Sequence, residues 1–193
     1  MTFVRLLLPA MLLAILSGCA LAPGGSPSPD FTAAPSTPET LQRRLTFTPD
    51  DENEPSRTLI GIIRLEERQL RAALLTPQGQ RLVTLVHDGQ ASRFEPGDVS
   101  REALEEKIPF PPDWLASRLE WSLWPTGALA DAFADSPWSV EETRGDRVIR
   151  YRGKLMARIT PASTSAGREE TALLDDRAGR YRLRIEPIEA SSP

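Results

Sequence analysis

The chain has 193 residues, with 23 basic against 27 acidic side chains, one histidine and one cysteine. That length suits a single domain with a packed core. The acidic balance, with no basic block interleaved with aromatics, argues against nucleic acid as a partner. One histidine and one cysteine leave too few ligands for a zinc site, and no cofactor motif is present.

The chain opens with one cation, Arg5, and an apolar run from Leu6 to Ile15 broken by Pro9. It is shorter than the roughly 20 residues a membrane-spanning helix needs, and small residues follow it. This is the pattern of a secretory signal over residues 1–18. Its ending, Leu16-Ser17-Gly18-Cys19, resembles the lipobox of bacterial lipoproteins. That resemblance implies cleavage before Cys19, diacylglycerol on its thiol and a further acyl chain on the new amino group. Several chains anchor firmly, because each buried methylene contributes about 0.8 kcal/mol. The next residue is Ala20 rather than aspartate, which by the same resemblance favours the outer membrane over the inner one. Loss of Arg5 with the signal moves the net charge from −4 to −5. An acylated Cys19 leaves no thiol for a disulfide.

Residues 19–40 read as the acylated cysteine and a tether rich in Pro, Ser, Gly and Thr, a composition that favours extended, solvated chain. The domain is expected over residues 41–193. Leu45 and Phe47 alternate with polar residues as a first strand, and Asp50 to Glu54 is a polar loop. Thr58 to Leu65 is a nearly continuous apolar strand. Gln69 to Thr76 and Arg81 to His87 alternate on either side of Pro77-Gln78-Gly79, and Asp88-Gly89 leads into a strand from Gln90 to Phe94. Ser100 to Lys107 reads as a short acidic helix. Asp113 is the expected N-cap of a second helix through Leu123, and Ala128 to Phe133 adds another turn or two. Trp138 to Thr143, Val148 to Arg152, Leu155 to Thr160 and Thr171 to Leu174 are strands. So is Tyr181 to Ile185, where apolar residues face one way and Arg180, Arg182 and Arg184 the other. These elements predict a mainly β fold: a curved antiparallel sheet, or half-open barrel, of about nine to eleven strands with a helical insert covering its open side.

The ordered set of segments resembles the LolA/LolB class of lipoprotein carriers, LolB most closely, from Arg57 to Ile188. It comprises Leu74 to Gly79, the charged helix before Ile108-Pro109, Trp114-Leu115 through Leu123-Trp124-Pro125, Trp138 to Val140, Val148 to Gly153 and Arg180 to Ile185. The chain is also similar to an uncharacterised lipoprotein family encoded beside aryl-polyene biosynthesis genes. The LolB resemblance implies a carrier whose apolar cavity, between sheet and helices, takes acyl chains handed over by a periplasmic LolA-like carrier. Ile63, Leu74, Leu85 and Leu183 are then candidates to line the cavity. Trp114, Leu115, Leu119 and Trp121 are candidates for its lid. At the position where LolB carries an exposed membrane-contacting leucine stands Gln78, whose amide does not favour hydrocarbon.

Two readings compete with a carrier. An enzyme would need His87-Asp88 as base and orienter with Ser92 or another serine as nucleophile, but Gly-x-Ser-x-Gly is absent and His87 reads as a solvated turn residue. Asp175-Asp176 likewise reads as a solvated turn. A scaffolding lipoprotein would have the same fold with a filled interior, and the four tryptophans serve either as core or as cavity wall. Cys19→Ser is expected to abolish palmitate labelling of the chain, and normal labelling of the variant would refute the lipobox reading.

Overall fold

The computed structural model describes residues 25–31, 39–66, 69–161 and 171–188. Cys19 and most of the expected tether therefore lie outside the described residues. Ten antiparallel strands form one curved, unclosed sheet in the order β5-β4-β3-β2-β1-β10-β9-β8-β7-β6. They are β1 Glu39–Pro49, β2 Arg57–Glu66, β3 Gln69–Leu75, β4 Arg81–His87, β5 Ser92–Pro96, β6 Trp138–Thr143, β7 Asp146–Tyr151, β8 Lys154–Pro161, β9 Ala172–Asp176 and β10 Tyr181–Pro187. The mainly β half-open architecture expected from the alternation is the one observed.

The topology has a simple logic. Strands β1 to β5 walk outward by hairpins to one edge, β6 to β10 walk back from the other, and β10 joins the two halves by pairing with β1. The only sequence link between the edges, from β5 to β6, must cross the open side. It carries the three helices of the described residues: α1 Arg101–Lys107, α2 Pro112–Leu123 and α3 Thr126–Phe133. Helices α2 and α3 are one helix of 22 residues bent at Trp124-Pro125. The bend follows from proline, which lacks the N–H that would continue the ladder. None of the described helices is long and apolar enough to cross a membrane.

Alternation places Leu45 and Phe47 of β1, Leu59 and Ile63 of β2, Leu70, Ala72 and Leu74 of β3, and Leu183 and Ile185 of β10 on the concave face. Register shifts at Leu74/Leu75 and Ile149/Arg150 break two ladders, and such bulges increase local twist and bend the strand. Gly61 helps the sheet curl tightly around Leu45: a Cβ there would sit 3.1 Å from Leu45 Cδ1. Helix α2 packs into the concavity against β4, β5 and β9. All residues from Leu115 to Trp121 are buried, including Ser117, Arg118 and Glu120. A helix buried on every side has no solvent face, so its polar groups need partners inside the fold.

The helix begins one residue or two before the expected cap. Pro111 is the N-cap and Pro112 occupies the first turn, where a missing N–H costs nothing. Asp113 lies inside the first turn, and its carboxylate accepts from Ser92 N at 3.2 Å, tying the helix to edge strand β5.

Candidate functional site

Helix α2 carries two opposite charges into the interior. On one side Arg118 reaches Asp176 at the end of β9, with Nε donating to Oδ2 at 2.8 Å and the second contact at 2.7 Å. The other carboxylate oxygen of Asp176 accepts from the backbone N–H groups of Ala178 and Gly179, at 3.0 and 2.8 Å. The Arg118 guanidinium lies between the rings of Trp114 and Trp121, 4.8 and 4.4 Å from their centroids. Burial pushes the Arg118 pKa down, and the charge and hydrogen bond of Asp176 oppose that shift. Asp176 is fully buried, so the expected solvated turn at Asp175-Asp176 is corrected for its second residue.

On the other side Glu120 meets His87 of β4, with Oε1 3.0 Å from Nε2. His87 is buried, which corrects its reading as a solvated turn residue. Ser28 Oγ donates to Glu120 Oε2 at 3.3 Å and lies 2.7 Å from His87 Nε2, so Nε2–H is the donor of that contact. Nδ1 faces the Ala91 carbonyl at 3.2 Å and Ser92 Oγ at 2.8 Å. Nδ1 can donate to that carbonyl when protonated, or accept from the Ser92 hydroxyl when it is not. The arrangement sets the His87 imidazole beside the Glu120 carboxyl group. Burial pulls the His87 pKa down, but the Glu120 hydrogen bond and charge, with help from Ala91 and Asp88, outweigh it and leave the value raised. Burial raises Glu120, with His87 and Ser28 pulling the other way.

Ser28 belongs to a strap, residues 25–31, from the segment expected to be solvated tether. The strap lies across α2. Ser26 Oγ accepts from Trp121 Nε1 at 3.1 Å, Pro29 is buried, and Phe31 is only 6% exposed. The Phe31 ring packs against His87 at 5.8 Å and edge-on to Trp124 at 5.4 Å. Gly89 makes room for it: a Cβ there would lie 3.1 Å from Phe31 Cε2.

The expected cavity and lid residues converge in the interior. Ile63, Leu74, Leu85, Leu183, Leu115, Leu119 and Trp121 are all fully buried and belong to one cluster. Trp114 is half-buried and lines a hollow of about 350 Å³ with Arg118, Trp138, Met156 and the strap residues Gly25 and Ser26. The apolar opening of the sheet lies elsewhere, at the end of the barrel where α2 bends away. There a cavity of about 320 Å³ is walled by Leu41, Leu65, Leu123, Trp124, Ile159 and Ile185. Three charged side chains share its lining: Arg43, Arg147 and Glu142. Trp124 separates this cavity from Phe31 of the strap, and its indole N–H is buried without an acceptor among the described residues. Such a donor costs the present ring position about 1–3 kcal/mol. Gln78 is exposed in the β3–β4 turn. Strand β3 runs from the cavity end to that turn, so Gln78 stands at the opposite end of the barrel, about 20 Å away at strand rise.

The cavity had one legible signal. The inward stripe of β1 reads Leu41, Arg43, Leu45, Phe47, and the buried arginine interrupts an apolar row. Among the described residues no group of three His, Cys, Asp or Glu side chains could hold a metal ion.

Two outcomes follow from the strap and the His87–Glu120 pair. Phe31→Ala should destabilise the domain by about 3 kcal/mol in urea denaturation, the range for emptying a buried aromatic site. A solvated tether would give a change within about 0.5 kcal/mol. The pair makes stability depend on pH. Both groups hold a proton more tightly folded than unfolded, so stability falls as pH rises. The contribution of His87 is complete below its ordinary 6.5 and is lost as pH climbs through its raised folded value. That of Glu120 begins to fall above 4.5. Denaturation midpoints from about pH 5 to 8 should therefore decline in the wild type and decline less in Glu120→Gln. Parallel profiles would contradict the pairing.

Residues 40–189 match the family described as "Protein of unknown function (DUF3261)". No curated protein matches the chain. The family match takes in the whole sheet but for the first residue of β1, together with helices α1 to α3. The chain is therefore a member of the DUF3261 family.

Proposed function

We propose that this chain is a lipoprotein of the outer membrane, acylated at Cys19 with its domain in the periplasm, that holds or relays an acylated molecule in the cavity at the bent end of α2. It is a binding protein and not an enzyme in this reading, and its cargo arrives from a periplasmic carrier of LolA type. The observation that carries the proposal is the cavity itself. Six large apolar side chains surround about 320 Å³ at the end of the sheet where the last turn of α2 stops. That volume is at the lower end of the roughly 300–1,000 Å³ typical of small-molecule sites. It suits one alkyl chain. At about 0.8 kcal/mol per buried methylene, eight methylenes would contribute ~6 kcal/mol before the entropic cost of association. Gln78, at the far end of the barrel, offers no apolar wedge beside the cavity, which favours holding or relay over insertion of cargo into the bilayer.

A filled core of Ile63, Leu74, Leu85, Leu183 and Trp121 favours the second reading, a scaffold that binds only protein. Ligand binding separates the two. The mature chain, residues 19–193 with Cys19→Ser, is titrated with the neutral apolar dye N-phenyl-1-naphthylamine and then with a dodecyl amphiphile. The carrier reading predicts a rise in fluorescence, reversed by the amphiphile at micromolar concentration. Ala172 is half-buried in the cavity wall, and Ala172→Phe should fill the space and weaken binding at least tenfold with the melting temperature unchanged. Absence of dye and amphiphile binding in the wild type would reject the carrier in favour of the scaffold.

A further inference from the structure

We propose that the cavity selects a single-chain amphiphile with an anionic head, a carboxylate or a phosphate monoester, and that Arg147 binds that head. The inference rests on the acyl-binding reading above and adds the chemistry of the ligand's polar end.

Arg147 starts the inward run of β7 and is half-buried in the cavity wall. A guanidinium has five N–H donors. Two of them are spent on fixed partners: Nε donates to Thr126 Oγ1 at 3.1 Å, and one terminal nitrogen donates to the Trp121 carbonyl. These bonds aim the group by tying it to the last turn of α2 and the first of α3. They do not neutralise it. Among the described residues no carboxylate lies within ion-pair distance of Arg147, whereas Arg118, on α2 itself, has Asp176. Glu142 shares the cavity lining, but its Oε2 accepts from Thr126 Oγ1. Burial pushes the Arg147 pKa down, and Glu142 only partly offsets it. A half-buried cation without a directly bonded anion, next to apolar walls, is matched by a ligand that brings both. Arg43 adds a second positive group to the same lining, with NH1 donating to the Gln42 carbonyl. A fork of donors on a fixed guanidinium suits carboxylate and phosphate oxygens, which accept two bonds side by side.

The test uses the mature chain with Cys19→Ser and displacement of the neutral dye by four amphiphiles sharing a dodecyl chain: dodecanoate, dodecyl phosphate, dodecanol and dodecyltrimethylammonium. The two anions should displace the dye at least tenfold more effectively than the alcohol, and the cation should be weakest. Added salt should shrink the anions' advantage and leave the alcohol unchanged. Acetate and inorganic phosphate at millimolar concentration should not displace the dye, since the chain supplies most of the affinity. Arg147→Gln should bring the anions to the level of the alcohol while the alcohol keeps its wild-type affinity. If that variant does not fold, the ranking and the salt dependence of the wild type decide. Equal displacement by anions and alcohol would overturn the assignment of the head while leaving the acyl-binding reading intact. Displacement by free phosphate alone would overturn it in favour of a simple anion site, and no binding of any dodecyl compound would overturn both readings.

Discussion

The structure depends on one helix carrying two buried charges of opposite sign to opposite halves of an open sheet. Arg118 fastens α2 to β9 through Asp176, and Glu120 fastens it to β4 through His87. Buried pairs of this kind add little net stability over apolar replacements, but removing one member leaves a stranded charge at a cost of about 3–5 kcal/mol. Their consequence here is positional. Two anchors on opposite sides of the helix set both its rotation and its height in the concavity. A helix held by apolar contacts alone could slide along a curved apolar surface with small loss. The strap from Gly25 to Phe31 completes the enclosure, since Ser28 bonds to the same His87–Glu120 pair.

The cavity follows from where that helix stops. Pro125 breaks the ladder just after the Trp124 cap, and the chain turns toward β6 through α3. The end of the sheet formed by the start of β1, the end of β2 and the end of β10 then meets only the last turn of α2 and its cap, Ser122 to Pro125. Leu41, Leu65 and Ile185 continue the inward apolar stripe into that end. The same bend places Thr126 and the Trp121 carbonyl where Arg147 can bond to both. A single event in the chain, proline after a capped helix, thus yields an apolar hollow and the polar group beside it.

The strands were legible because period-two alternation is strong in Leu45 to Phe47, Leu70 to Leu74 and Tyr181 to Ile185, and because Asp, Gly and Pro mark the turns between them. The side-chain partners of α2 were far less so. His87 stands beside Asp88-Gly89, and that local signal reads as solvent, whereas its burial comes from Glu120 and Phe31, both remote in sequence. Asp176 misled in the same way, since its turn is real but its carboxylate faces Arg118. Proline and serine in the segment before the domain describe its backbone, not the one aromatic residue that docks it. The expected lining residues, Ile63, Leu74, Leu85 and Leu183, do face inward, but alternation reports a face and not how far along the strand the interior is filled. The cavity takes the strand ends Leu41, Leu65, Ile159 and Ile185 instead, which depends on the bend in the helix.

The central claim is that an acyl chain occupies the cavity end of the sheet and not its middle. It is tested most directly by solution NMR of the mature chain with a nitroxide-labelled stearate. The account predicts paramagnetic broadening of the methyl signals of Leu41, Leu65, Ile159 and Ile185 and of the Trp124 indole, with Ile63, Leu74 and Leu85 left sharp. Broadening centred on those three core residues, or none at saturating label, would contradict it.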